Sequence, residues 1–277
     1  MAADTGENGA DAAAEALTDR AADADGLALF TDFDGTLAPI VDRPDAAAMD
    51  PAAEDALELL REVPDAAVAA VSGRALDDLR ERLTVDDIAY AGNHGLELHA
   101  DGETTVHPAA EEAEDTLRAV TKHLRETLGV EGAIVENKRV TATVHYRMVD
   151  DDEVPIVEKR VREAAADTPL RVTEGKEILE LRPDVDWDKG RAVEWLRDRL
   201  VPDDETWVPA YVGDDVTDEA AFRALPDGGV GVKVGEGETA ADYRVADVDE
   251  VRRFLERVAA SPALAEPEPD SDPDADG

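Results

Sequence analysis

The chain has 277 residues, 43% of them hydrophobic, which suits one domain with an insertion or two small domains. It has no cysteine, which excludes disulfides, a thiolate nucleophile and cysteine-ligated zinc. Its 28 basic residues face 68 acidic ones, a formal net charge of -40, which argues against a nucleic-acid or anionic membrane partner but not against a small anionic substrate held by local cations.

In chain order, residues 1–24 are rich in Ala, Asp, Gly and Glu and read as a disordered acidic tail. Leu27–Thr31 is a short, continuously apolar run of the kind that forms a buried strand. Asp32-Phe33-Asp34-Gly35-Thr36 follows, so two carboxylates stand at the carboxyl end of a strand, where open α/β sheets build their sites. Period-2 alternation turns both to one side if the strand extends that far. Paired carboxylates repel unless a cation or a shared proton intervenes, and a hard cation such as Mg²⁺ answers that need. Asp-x-Asp recurs at Asp23/Asp25, Asp184/Asp186, Asp247/Asp249 and Asp272/Asp274, but none of those follows an apolar strand and precedes Gly-Thr.

Pro51 fits the first position of a helix capped by Asp50. Ala66–Val71 is a second apolar run, ending in Ser72-Gly73-Arg74 before a helix at about Leu76–Leu83; a serine there can offer its hydroxyl to an anion. Ile88–Ala91 is a third strand, ending in Asn93-His94-Gly95. From Leu96 the pattern changes to strand pairs alternating with helices, which reads as a small inserted α+β unit: a hairpin, a helix over Ala109–Leu128, two strands, a helix near Glu153–Ala166 and two more strands. Lys189-Gly190 opens the next helix. Val208–Val212 then ends in Gly213-Asp214-Asp215-Val216-Thr217-Asp218, followed by a strand at Gly229–Val234 and a last helix at Val248–Ala259. The Pro/Glu/Asp-rich stretch 261–277 reads as a disordered tail.

Asp32/Asp34, Ser72, Lys189 and Asp214/Asp215/Asp218 therefore gather at strand ends and a helix start. These motifs, in this order, resemble the haloacid dehalogenase superfamily of phosphatases. The finer resemblance is to the trehalose-6-phosphate phosphatase family. It rests on Asp32-Phe33-Asp34-Gly35-Thr36-Leu37-Ala38-Pro39-Ile40, Gly92-Asn93-His94-Gly95-Leu96-Glu97, Glu136-Asn137-Lys138, His145-Tyr146-Arg147, Gly175-Lys176, Glu180-Leu181-Arg182-Pro183 and Gly213-Asp214-Asp215 through Glu219. Ala220 departs from the acidic residue that the family often carries there.

The resemblance implies an α/β fold: a Rossmann-like parallel sheet core with an inserted α+β cap. The core would span 25–98 and 183–260, the cap 99–182, with acidic tails at 1–24 and 261–277. It implies that Asp32 attacks phosphorus to form an aspartyl-phosphate and that Asp34 serves as acid, then base. Mg²⁺ would be held by Asp32, the Asp34 backbone carbonyl and Asp214. Thr36, Ser72 and Lys189 would contact the phosphoryl group, Asp215 and Asp218 would support them, and Arg74, Asn93, His94, Gly95, Glu136, Lys138, Arg147, Lys176 and Glu180 would read the sugar. The expected reaction is hydrolysis of trehalose 6-phosphate. Alternatives are a sucrose-phosphate or mannosylglycerate-phosphate phosphatase, a phosphomutase, or a non-catalytic sugar-phosphate sensor.

A monomer is favoured. No apolar run reaches the roughly 18 residues of a membrane-spanning helix, and there is no leader pattern, so a cytoplasmic location is expected. The only lysines are Lys122, Lys138, Lys159, Lys176, Lys189 and Lys233. Acidic excess with scarce lysine is similar to proteins of salt-loving organisms, because self-repulsion then needs screening, with a Debye length of ~3 Å at 1 M salt against ~10 Å at 0.1 M. Dilute buffer is expected to lower the melting temperature and the activity. An unchanged melting curve and full activity there would overturn the salt argument.

Overall fold

The computed structural model describes residues 9–41 and 46–264. Its frame is an eight-stranded sheet in the order β12-β11-β10-β1-β2-β3-β4-β5. The strands are β1 (Gly26–Thr31), β2 (Ala66–Val71), β3 (Ala89–Gly92), β4 (Glu97–Ala100), β5 (Glu103–Val106), β10 (Trp207–Gly213), β11 (Val230–Val234) and β12 (Tyr243–Val245). From β12 to β3 the pairing is parallel; β4 and β5 join antiparallel at one edge. β1 is buried at every residue, as a central parallel strand covered on both faces must be. Alternate side chains feed two cores: Leu27 and Leu29 join one, Ala28 and Phe30 the other.

The first core is closed by α1 (Gly9–Ala21), α2 (Pro51–Glu62), α3 (Leu76–Arg82) and α8 (Val248–Ala259); the second by α6 (Lys189–Leu200) and α7 (Glu219–Ala224). Asp50 caps α2 through Ala52 N at 2.8 Å, with Pro51 in the first turn. From β1 the chain steps outward to β2 in one direction, and it later returns to β10 on the other side of β1. The crevice at the carboxyl ends of β1 and β10 is therefore the switch point at which such sheets bind ligands.

The inserted unit holds α4 (Pro108–Thr127), β6 (Ile134–Asn137), β7 (Ala142–His145), α5 (Val154–Ala165), β8 (Leu170–Gly175) and β9 (Ile178–Pro183). Its strands form a separate antiparallel sheet, β6-β7-β9-β8, with the two helices packed on it through Leu117, Leu124, Val157 and Val161. No helix among the described residues is long and apolar enough to cross a membrane.

Three expectations need correction. Residues 9–24 are not a disordered tail: α1 is a helix whose face Ala10, Ala13, Ala14 and Leu17 is buried against α8 and β12. Small residues at a spacing of three and four allow close helix packing, so an alanine-rich acidic segment still buries a stripe. Residues 1–8 lie outside the described residues. The cap does not begin at 99: the 97–106 hairpin extends the main sheet, because the Asn93–Gly95 turn reverses the chain directly onto β3. The expected C-terminal tail starts with a short 3-10 turn, Pro262–Leu264, and Leu264 packs on the core; residues 265–277 lie outside the described residues.

Candidate active site

β1 ends at Thr31, so Asp32 and Asp34 stand in the turn beyond it rather than on the strand. The Asp32 N–H donates to Val212 O at 2.8 Å, which holds the turn against β10. Asp32 is buried, and one carboxylate oxygen accepts from Lys189 Nζ at 2.8 Å. Lys189 opens α6 just after the cap residue Asp188, whose carboxylate accepts from Arg191 N at 3.0 Å. Gly190 follows because a Cβ there would come within 2.6 Å of Ala220 O. Lys189 also donates to Asp218 Oδ1 at 2.7 Å. Asp218 is fully buried and further accepts from Tyr211 OH at 2.6 Å and Asp215 N at 2.8 Å.

One carboxylate oxygen each from Asp32, Asp214 and Asp218 lie within 4.8 Å of one another. Gly35 makes room for this group: at φ +82° it approaches the Asp214 carboxylate so closely that a Cβ would sit 2.2 Å from Oδ2. Burial pushes the Asp32 carboxyl well above its ordinary range; Lys189 pulls it back, and Asp218 and Asp214 add to the rise. Burial, then Asp218, pushes Asp214 up to about 6. Burial would also raise Asp218, but Lys189 and the hydrogen bonds it accepts hold it low. Lys189 would be depressed by burial, yet Asp218 and Asp32 hold its charge firmly in place. Asp218 is thus satisfied, whereas Asp32 shares the one Lys189 charge with it and Asp214 adds a third carboxylate to the group. A hard divalent cation fits that donor set.

Asp34 lies across the cleft with both oxygens taken by Arg74, Nε to Oδ2 at 2.7 Å and Nη2 to Oδ1 at 2.6 Å. Its carboxylate therefore stands apart from the acidic cluster. Arg74 also donates to Asp78 Oδ2 at 2.6 Å and lies 5.3 Å from the Phe33 ring centroid. Ser72 is buried at the cleft wall, its Oγ accepting from Arg74 N at 3.2 Å.

The cleft encloses about 380 Å³ and brings together Asp32, Asp34, Ser72, Arg74, His94, Glu136, Lys138, Arg147, Lys176, Glu180, Lys189, Asp214 and Asp215. It is roofed by the insert. Lys138 Nζ donates to Gly73 O at 3.0 Å, His94 Nε2 lies 3.3 Å from Glu180 Oε1, and Arg147 Nη1 donates to Val41 O at 3.3 Å. Glu136 meets His145 Nε2 at 2.9 Å, and Arg147 also meets Glu177 at 2.6 Å. An adjoining space of about 390 Å³ runs under the insert past Ile134, Met148 and Ile178.

Besides the buried Asp218, three expected site residues do not line the cleft. Thr36 is buried, its hydroxyl without a partner among the described residues. Asn93 is buried at φ +49°; its amide donates to Glu97 Oε2 at 2.6 Å, and its oxygen accepts from Thr141 Oγ1 at 2.6 Å, so it joins core to insert. Gly95 packs on Ala192 and accepts from Trp187 Nε1 at 2.8 Å. Conversely, Asp78 lines the cleft, and Tyr211 and Lys233 contact residues of its floor, Asp218 and Asp214, without having been singled out. Tyr211 and Lys233 are polar side chains inside apolar strands, and Asp78 stands four residues from both Arg74 and Arg82; those were the available signals.

Burial alone would raise the Glu180 carboxyl, but His94, Lys138 and Arg182 bring it from an ordinary 4.5 down to about 2. A carboxyl lowered by folding stabilises the native state above its unfolded value and loses that contribution as pH falls through the folded one. Stability is therefore expected to drop between about pH 4.5 and 2. Denaturant midpoints across that window should fall less steeply for Glu180→Gln than for the wild type; parallel curves would remove Glu180 from the account.

Residues 30–249 match the trehalose-phosphatase family. The chain is 43% identical to Mycobacterium marinum trehalose-phosphate phosphatase over 242 residues, covering 84% of this chain and 61% of that protein. It is likewise 43% identical over 242 residues to a Mycobacterium tuberculosis protein described as an uncharacterised glycosyl hydrolase, covering 84% of this chain and 18% of the relative. It thus spans less than two thirds of these curated relatives. Among solved structures, a trehalose-6-phosphate phosphatase related protein superposes with a TM-score of 0.75 at 28% identity, covering 84% of this chain and 96% of the other. The C-terminal domain of C. albicans trehalose-6-phosphate phosphatase shares the fold, with a TM-score of 0.74 at 22% identity over 93% of this chain and 98% of the other. The haloacid dehalogenase-like α/β architecture and the extent of the sequence match agree: the chain belongs to the trehalose-phosphatase family.

Proposed function

We propose that this chain is a Mg²⁺-dependent phosphatase that hydrolyses trehalose 6-phosphate to trehalose and phosphate. The observation that carries the reading is the buried Asp32 carboxylate, oriented by Lys189 at 2.8 Å on the floor of a cleft roofed by Glu136, Lys138, Arg147, Lys176 and Glu180. The free Asp32 oxygen attacks phosphorus, and the bond from phosphorus to the sugar oxygen breaks. Asp34 gives the departing oxygen a proton, later takes one from the attacking water, and Asp32 is released as phosphate leaves. Both Asp34 oxygens are occupied by Arg74, so proton transfer needs Arg74 to let one go, and Asp78 is placed to keep the guanidinium. Lys189 holds Asp32 in its attacking orientation, and Asp218 and Tyr211 hold Lys189. Mg²⁺ held by Asp32, Asp214 and the Asp34 carbonyl would, when bound, offset charge on the phosphoryl oxygens.

The insert's charged side chains suit a substrate rich in hydroxyls, and it touches the Gly73 and His94 loops, so that its closure over bound substrate would exclude water until the phosphoryl group has moved. The acidic, lysine-poor composition supports work in a high-salt cytoplasm. Phosphate release from trehalose 6-phosphate is the test, run in ~2–3 M KCl to screen the charge, with Mg²⁺ or EDTA, beside glucose 6-phosphate and sucrose 6-phosphate. Fast, Mg²⁺-dependent release from the trehalose ester alone is expected. Preference for another ester would keep the core chemistry and reject the assignment of the insert. No release from any ester by folded protein would reject the enzyme.

A further inference from the structure

β11 is buried along its whole length, yet one of its side chains is a lysine. Lys233 is only 4% exposed, and a buried ammonium is costly unless its surroundings are arranged for it. It forms no ion pair with a described carboxylate. Instead it donates to the main-chain carbonyl oxygens of Asp214 and, at 3.4 Å, Asp215. The register explains the reach: Lys233 pairs with Gly213 on β10, one residue before Asp214.

That loop has few other anchors. Val216 at its tip is 80% exposed; Asp218 receives Asp215 N and gives its own N–H to Asp215 O at 3.2 Å, and Thr217 Oγ1 donates to the Asp215 carboxylate at 3.4 Å. Lys189, the other buried ammonium on the cleft floor, is consumed by Asp32 and Asp218. Lys233 is therefore the cation nearest the Asp214 backbone. Its charge opposes the rise that burial and Asp218 impose on the Asp214 carboxyl. An apolar side chain here would leave two carbonyls without this donor and three crowded carboxylates with one ammonium fewer.

We infer that Lys233 is a positioning residue for the metal site: its ammonium clamps the Asp214–Asp215 main chain and so presents the Asp214 carboxylate to the cation position beside Asp32. The inference rests on the metal reading proposed above. It predicts that loss of Lys233 weakens metal binding while leaving the nucleophile and the acid in place. The turnover number should then recover when metal is saturating.

Mn²⁺ binding to the full chain, followed by electron paramagnetic resonance without substrate, separates the two claims. Wild type should bind Mn²⁺ and Asp214→Asn should lose it. Failure of either rejects the metal site and this inference with it. Given that result, Lys233→Met is expected to weaken Mn²⁺ binding about 10- to 100-fold, the range for loss of a residue that orients a ligand. Its half-maximal activity should move to higher Mg²⁺, with the turnover number restored at saturation. A lowered melting temperature with Mn²⁺ affinity unchanged would leave the metal site standing and overturn the role of Lys233. If Lys233→Met does not fold, Lys233→Gln decides in the same assay, since it keeps a donor and loses the charge: weaker Mn²⁺ binding supports the clamp, and unchanged binding rejects it.

Discussion

Asp32→Asn is expected to cut phosphate release by roughly 10⁴-fold or more, on the scale of losing a covalent nucleophile, while leaving the fold as stable as the wild type or more so. The two halves have separate physical grounds. An amide oxygen lacks the charge that makes Asp32 a nucleophile, and its neighbours are otherwise engaged: both Asp34 oxygens accept from Arg74, Asp218 is sealed under Lys189 and Tyr211, and Asp214 is the carboxylate proposed to hold the metal. Stability goes the other way because burial pushes the Asp32 carboxyl up, with Lys189 only partly offsetting it and Asp218 and Asp214 adding to it. A carboxyl raised by folding binds its proton more tightly in the native state, so it costs stability as pH rises above its unfolded value. Asparagine has no such cost, and its oxygen can still accept from Lys189. Phosphate assays and melting curves on the same high-salt samples test both halves. Turnover within about tenfold of wild type would mean that the nucleophile is elsewhere, and a large fall in melting temperature would mean that Asp32 is a structural anion.

Asp32, Ser72 and Asp214 were legible because each follows an apolar run. A buried parallel strand can end only where the chain meets solvent or a site, so polar residues at such ends stand at the same rim of the sheet. Lys189 was legible for a related reason, as a helix start that returns to that rim. Asn93, Gly95 and Thr36, carried over from the family resemblance, stand off the cleft because turn residues do not follow strand alternation. Asn93 and His94 sit at φ +49° and +57°. That left-handed pair sends His94 to the cleft wall beside Gly73 and buries Asn93 between core and insert. The same turn sets the fate of the 97–106 hairpin, which local pattern assigns equally well to either sheet; pairing with β3 decides it.

Lys233 and α1 were hidden by composition. A lysine in Val230–Val234 reads as an edge or solvent-facing residue until the neighbouring loop supplies two carbonyls to it. In α1 the charged residues dominate the average, while burial depends only on the small-residue stripe, and Arg257 adds an ion pair to Asp11 at 2.8 Å. Sequence periodicity contains that stripe, but nothing in it states that α8 lies opposite.

Lys189→Met should cost about 3–5 kcal/mol, the penalty for leaving a buried partner charge uncompensated, and should abolish turnover as well. Lys189 is 3% exposed and holds Asp32 at 2.8 Å and Asp218 at 2.7 Å. Methionine fills most of the same volume, so the loss is electrostatic rather than a cavity. At this chain length the cost corresponds to a fall in melting temperature on the order of 10 °C. Activity fails independently, because Asp32 loses its orienting donor and the cleft floor its neutralising charge. The double variant Lys189→Met with Asp32→Asn separates the two effects. It removes one of the two stranded carboxylates, and the other, Asp218, keeps Tyr211 OH and Asp215 N as donors. Stability should therefore recover by a large part of the loss while activity stays absent. Such non-additivity is the signature of residues in direct contact. If the two substitutions merely added, Lys189 would be a packing residue, and the ion triad would not be what holds the nucleophile in place.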